Sequence, residues 1–301
     1  MSNGRELQPR APRRSRRLAA TNSGSAKQRR TTMYADSDFK VAVITGAGSG
    51  IGRSLAKRFA TAGMHVVIAD IQEKGLRETQ DLIGADRCTI KVTNVADEDA
   101  VVSLADFVWS EFGQVDVVCN NAGTLGPMGD PLWEIPLAEW TRVLSVNFLG
   151  VVHGIRAFVP RLLAAGRRAH IVNTASMGGF TVSPVVPQYN ASKHAVVALT
   201  EALRLQLAAR QSSISVTMVC PGPVETNIVA SQQAQTGADG DQADWGARAI
   251  GTPTTHLSPD VVAEKVFHAI QNNSFYVFTN PGSRQRIEER VSHIMESFEP
   301  C

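Results

Sequence analysis

The chain has 301 residues, 43% of them hydrophobic and 19% charged, with 30 Lys and Arg against 28 Asp and Glu and a formal net charge of +2. That length and apolar share suit one large α/β core, and no unbroken apolar run reaches the roughly 18 residues a membrane helix needs, so no membrane role is expected. The charge is uneven: residues 1–31 carry nine Lys or Arg and one acid, which leaves the body net negative and confines any nucleic-acid reading to the leader.

Residues 1–32 are rich in Arg, Ser, Gln and Pro and have no apolar period, so they cannot bury enough surface to offset ordering entropy and are expected to be disordered. Three readings compete for this segment: a basic arm, a transit peptide, or an extension without function. Met33 stands just before the folded body and favours the last. Residues 33–301 are expected to form one domain.

From Lys40 onward short β-branched runs alternate with longer helical patterns, the signature of right-handed βαβ units in a parallel sheet. Strands are expected at Val41–Thr45, His65–Asp70, Cys88–Thr93, Val115–Asn120, His170–Ala175, Ser213–Cys220 and Phe275–Phe278. The predicted fold class is therefore α/β, a single doubly wound Rossmann-type domain with a seven-stranded parallel sheet. In such sheets ligands bind beyond the carboxyl ends of the strands, where strand order reverses.

The first strand runs into Thr45-Gly46-Ala47-Gly48-Ser49-Gly50-Ile51-Gly52, which opens a helical pattern. Gly46, Gly50 and Gly52 fit the three needs of a phosphate-binding turn: positive φ, close backbone approach, and tight helix-on-strand packing. The second strand ends at Asp70, placed to accept hydrogen bonds from an adenosine ribose and to repel a 2′-phosphate, which favours NAD over NADP. Capping of the next helix is the plainer role for Asp70, and Arg53 and Arg77 leave some NADP tolerance open. Asn94-Val95 follows the third strand, Asn120-Asn121-Ala122-Gly123 the fourth, Ser176 the fifth and Pro221-Gly222-Pro223 the sixth.

Helices are expected over Leu104 to Phe112 and over Ile135 to Leu163. The second is apolar on more than one side, which predicts cover from another subunit, in a dimer or tetramer. Tyr189 and Lys193 stand four apart in a helical pattern from Gln188 to Arg210 and so share a face. A neighbouring ammonium is expected to lower the phenol's pKa and make Tyr189 an acid/base near neutral pH. Ser176 can orient a substrate oxygen.

Met177, Phe180, Val182, Val185 and Leu125 suggest an apolar pocket wall. Residues 228–258 lack a strong period and are expected to form a lid, and residues 284–298 a C-terminal helix that covers the pocket or a subunit contact. Cys88, Cys119, Cys220 and Cys301 have no CxxC spacing and there is no H-E-x-x-H, so no metal is expected, and buried free thiols fit a reducing, cytoplasmic setting.

Over residues 38–280 the chain resembles the short-chain dehydrogenase/reductase family. The likeness rests on Thr45-Gly46, Gly50 and Gly52, on Asn120 to Gly123, on Ser176 thirteen residues before Tyr189 and Lys193, on Asn147 in Val146-Asn147-Phe148, and on Pro221, Gly222 and Thr226. One position departs: Asn94 stands where many members carry an aspartate.

The resemblance implies catalysis by Ser176, Tyr189, Lys193 and Asn147. It implies cofactor contacts from Gly46, Ser49, Gly50, Ile51, Gly52, Asp70, Asn94, Val95, Asn121, Ala122, Gly123, Tyr189, Lys193, Pro221, Gly222, Val224 and Thr226, and substrate contacts from Ser176, Met177, Phe180 and Tyr189. Lys193 would bind the nicotinamide ribose, the Asn147 backbone carbonyl would hold a proton-relay water, and Thr226 would bind the carboxamide. The implied activity is interconversion of a secondary alcohol and a ketone with NAD, on a hydrophobic molecule of terpenoid, steroid or cyclic diol type. Two alternatives stand beside it: a dinucleotide-binding sensor or scaffold without turnover, and an NADPH-dependent ketone or 3-oxoacyl reductase. No Gly-x-Ser-x-Gly elbow supports a serine hydrolase.

Overall fold

The computed structural model describes Met1, residues 39–226, Ile228 and residues 256–298. The basic leader and nearly all of the expected lid lie outside the described residues.

Seven strands, β1 (Val41–Thr45), β2 (His65–Asp70), β3 (Cys88–Val92), β4 (Val117–Asn120), β5 (Ala169–Thr174), β6 (Ile214–Cys220) and β7 (Tyr276–Phe278), form one sheet. Its order is β3-β2-β1-β4-β5-β6-β7, and every pairing is parallel. The chain runs outward from β1 to β3 and then crosses back to β4, so order reverses between β1 and β4, and a crevice opens beyond their carboxyl ends.

The helices are α1 (Gly50–Thr61), α2 (Glu73–Ile83), α3 (Glu98–Phe112), α4 (Leu137–Leu144), α5 (Gly150–Ala165), α6 (Pro187–Ala209), α7 (Pro259–Gln271) and α8 (Ser283–Glu296). Alternate residues of each strand face opposite sides, and both sides are covered. Ala42 and Ile44 pack with Leu55 and Phe59 of α1 and Phe267 of α7, while Val41 and Val43 pack with Leu104 of α3 and Phe158 of α5. Burial on both faces explains why β1 reads as a continuous apolar run.

The stretch from Ile135 to Leu163 is not one uniform helix. α4 and α5 are joined by a π turn at Ser145–Leu149 that contains Asn147, and π turns of this kind frequently mark functional sites. The whole run Leu137–Ala165 is long and apolar enough, by length and composition alone, to cross a membrane, and 44% of its apolar window is buried inside this fold. Phe158 and Leu162 there belong to the core on the α3 side of the sheet.

Candidate active site

The glycine turn after β1 is fitted to the turn after β4. Gly46 has φ +66°, and a Cβ there would stand 2.7 Å from the Ala122 Cα; a Cβ on Gly52 would overlap the Gly46 carbonyl and reach within 2.7 Å of the Asn121 side chain. Only hydrogen fits at either position. The Thr45 hydroxyl accepts from the Asn121 and Ala122 N–H groups and donates to the Cys119 carbonyl. Asn121 donates its amide to the Thr45 carbonyl and accepts from the Thr174 hydroxyl, so it ties β4 to both neighbouring strands.

α1 begins with donors to spare. Ser49 makes no side-chain cap, the first turn has no acidic residue, and Gly50 has φ +51°. Four N–H groups at a helix start need partners, and the helix dipole adds positive potential there. Thr226 closes over this start, since a Cβ on Gly50 would meet its methyl group at 3.1 Å. Asp70, at the end of β2, accepts from the Gly48 N–H at 3.0 Å and from the Gln72 N–H at 3.0 Å, which fixes its carboxylate beside the turn.

Arg53 bonds the Gly48 and Gly75 carbonyls and the Thr79 hydroxyl, and pairs with Glu78. Arg77 pairs with Glu73. Both arginines are therefore engaged with acids. Asn94 caps its own turn through Ala96 N–H and lies exposed beside buried Val95.

On the far side of the crevice, Tyr189 and Lys193 lie in the first turns of α6. Lys193 is buried and donates to the Thr174 carbonyl at 2.8 Å. Ser176 accepts from the Gly178 N–H at 3.0 Å and donates to the Pro221 carbonyl at 3.4 Å. Burial pushes the Tyr189 phenol above the ordinary tyrosine value, and the neighbouring Ser176 hydroxyl acts in the opposite sense. The expected lowering by the ammonium is not what the structure gives: Lys193 Nζ stands 5.7 Å from the Tyr189 ring centroid and is committed to a carbonyl, so desolvation wins. Burial also brings Lys193 down to about 8, with Cys220 acting in the opposite sense.

Asn147 is fully buried. Its carboxamide accepts from the Thr124 N–H and donates to the Thr124 carbonyl and the Ser192 hydroxyl. The side chain thus pins the segment after the Asn-Asn-Ala-Gly turn to α6, leaving any relay role to the backbone of the π turn.

A cavity of about 1160 Å³ joins both halves. Gly46, Ser49, Gly50, Ile51, Gly52 and Asp70 line one end; Asn94, Val95, Asn121, Ala122 and Gly123 follow. Ser176, Met177, Tyr189 and Lys193 line the other end, and Pro221, Gly222, Val224 and Thr226 lie along its side. Asn147 is not on the wall, though Ser145 and Val146 are. Phe180 is not there either: its ring packs edge-on against Phe278 at 5.2 Å and Tyr276 at 6.2 Å, an aromatic cluster on β7.

Sequence reading passed over several residues that shape this cavity. Asn280 accepts from Gly222 N–H, and its position just past β7 was open to the same strand-end rule applied to the other six strands. Asn190 ties the Gly178 carbonyl and the Ser183 N–H to α6. Arg286 of α8 and His256 also reach the wall, and no local signal marks them.

The donor set fits a dinucleotide: a cradle that any Cβ would fill, an uncapped helix start, and a carboxylate fixed at the end of β2. The short chain dehydrogenase model matches residues 40–237. The chain is 41% identical over 257 residues, 85% of its length and 88% of the relative's, to 1-deoxy-11-beta-hydroxypentalenate dehydrogenase of Streptomyces exfoliatus. It is 31% identical to a CLA biosynthesis dehydrogenase/reductase of Lactiplantibacillus plantarum, over 87% of this chain and 95% of that one. A short chain dehydrogenase/reductase from Burkholderia phymatum, solved in complex with NAD, superposes with a TM-score of 0.80 at 36% identity, covering 89% of this chain and 98% of that one. The chain belongs to the short-chain dehydrogenase/reductase family and is an alcohol dehydrogenase/ketone reductase that uses a nicotinamide dinucleotide.

Proposed function

We propose that this enzyme oxidises a hydrophobic cyclic secondary alcohol of terpenoid type, with NAD preferred, through Ser176, Tyr189, Lys193 and Asn147. The observation that carries the reading is that Ser176, Tyr189 and Lys193 line one cavity that continues without a break to the glycine turn. Leu125, Met128, Met177 and Val185 give that end apolar walls, and the Streptomyces relative is named for a hydroxylated pentalenate.

The bound nicotinamide supplies the two-electron acceptor or donor. Gly46, Ser49, Gly50, Ile51 and Gly52 would hold its pyrophosphate, Asp70 the adenosine ribose, and Asn94, Val95, Ala122 and Gly123 the adenosine side. Lys193 would hold the nicotinamide ribose, and Val224 and Thr226 the carboxamide end beside Pro221 and Gly222. Asp70 on the cavity wall, with Arg53 paired to Glu78 and Arg77 to Glu73, supports NAD over NADP, because a 2′-phosphate would meet a carboxylate and find neither guanidinium free.

In oxidation, Tyr189 Oη takes the hydroxyl proton while Ser176 Oγ hydrogen-bonds the same substrate oxygen. In reduction, Tyr189 returns that proton. The proton leaves through a water held by the Asn147 backbone carbonyl. A phenol held above its ordinary value is protonated at neutral pH, so oxidation should accelerate as pH rises while reduction holds across neutrality.

The exposed Leu132, Trp133 and Leu137 before and on α4 support a homo-oligomer, and the buried free thiols of Cys88, Cys119 and Cys220 support a cytoplasmic setting. The test is a panel of apolar secondary alcohols assayed with NAD and with NADP at several pH values. Tyr189→Phe should lower kcat/KM by roughly 10²–10⁴-fold while cofactor affinity stays unchanged. Undiminished turnover by that variant would overturn the reading, and cofactor binding without turnover of any alcohol by the unaltered protein would favour a sensor.

A further inference from the structure

We infer that the substrate carries an anionic group, a carboxylate, away from its reacting carbon, and that Arg286 of α8 binds it. This names the substrate class of the site proposed above and rests on that reading. Arg286 is half-buried and lines the same cavity as Ser176 and Tyr189, although it lies almost a hundred residues further along the chain.

Its neighbours on α8 have their own partners. Arg284 pairs with Glu288, and Arg290, one turn further along on the same face as Arg286, donates to the Phe180 carbonyl at 3.0 Å. That last bond docks the face against the loop that follows Ser176. Arg286 itself has neither an acid nor a carbonyl within bonding distance among the described residues.

The other charged groups on the wall are differently placed. Arg142 is committed to Glu139 and the Thr124 hydroxyl, Arg53 and Glu78 to each other, Asp70 to two backbone N–H groups at the glycine turn and Lys193 to the Thr174 carbonyl; Lys74 is exposed to water on α2, where a counter-charge is not needed. Glu225 shares the wall but forms no ion pair with Arg286. A guanidinium taken partly out of water without a counter-charge is costly, and five fixed donors in a plane match a carboxylate. His256, also on the wall, adds a second polar group. Leu125, Met128, Met177, Val185 and Val186 are the apolar part of the wall, beside Thr181, Ser183 and Asn190, and they fit a hydrophobic skeleton between the reacting hydroxyl and the anion.

The experiment assays cyclic and steroidal secondary alcohols that bear a carboxylate, each paired with its neutral methyl ester, using the unaltered protein and Arg286→Gln. For an acid that is turned over, the variant should lose roughly 10- to 100-fold in kcat/KM, mostly through KM, and the ester should change by less than about threefold. Equal effects on acid and ester, or none on either, would overturn the inference. Calorimetric titration of the NAD-loaded protein with the corresponding keto acids and keto esters serves as a second arm. Preferential binding of the acid, lost in Arg286→Gln, supports the anion site even if no alcohol is oxidised, an outcome that would count against the proposed dehydrogenase activity alone. Absence of that preference counts against the anion site even if both alcohols are oxidised.

Discussion

α1 and α3 both start just beyond the carboxyl end of a strand, but their first turns are satisfied in different ways. At α3, Asp97 accepts from the N–H groups of Asp99 and Ala100, and Glu98 and Asp99 place negative charge at the positive end of the helix dipole. At α1, Ser49 caps nothing and no acid is present. A capped start closes its own hydrogen-bond account and adds to stability; an uncapped one forgoes that and keeps its donors for a ligand. The same sheet edge therefore holds one helix start built for the fold and one built for a cofactor.

The contrast can be broken most forcefully at Gly52. Gly52→Ala places a methyl group against the Gly46 carbonyl and the Asn121 side chain, so α1 must move off the turn. Cofactor affinity measured by fluorescence titration should fall below detection, with an overpacking cost of roughly 1–3 kcal/mol in chemical denaturation. Asp70→Ala removes the carboxylate but leaves the cradle. The ratio of kcat/KM for NAD over NADP should drop about tenfold or more, in line with roughly 1.5–3 kcal/mol for a hydrogen bond to a charged group, and an unchanged ratio would refute the assignment of the ribose to Asp70. Asp97→Ala is the smallest and sharpens the comparison from the other side. It should cost about 0.5–2 kcal/mol of stability and leave cofactor affinity where it was. A cofactor effect as large as the stability effect would mean that the two helix starts are not independent.

The cofactor end was the more legible in the sequence because its parts are local. A positive φ calls for glycine, a strand end calls for a turn residue, and Tyr189 and Lys193 share a face by helical spacing alone. All seven strands fall within two residues of their expected bounds for the same reason: alternation and β-branching are written in consecutive residues. Other readings went differently. The π turn at Ser145–Leu149 breaks a stretch whose apolar pattern reads as one continuous helix, because periodicity does not register a single widened turn. Phe180 left the pocket wall for the aromatic pair on β7, a choice made by residues almost a hundred positions away. α7 was passed over although Ser258-Pro259 is a helix-start signal and Ser258 does cap Asp260.

Taken alone, the sequence determined the layered α/β class, the phosphate-binding turn, the strand-end residues and the pairing of a tyrosine with a lysine, since each follows from backbone preference or short spacing. The tertiary structure alone decided which groups share the far end of the cavity and how they are tuned. Burial, not the ammonium, governs the Tyr189 phenol; Asn147 spends its side chain on Thr124 and Ser192; and Arg286 reaches the cavity wall from α8. Desolvation and long-range contact depend on what the folded chain places around a group, and no stretch of neighbouring residues encodes that.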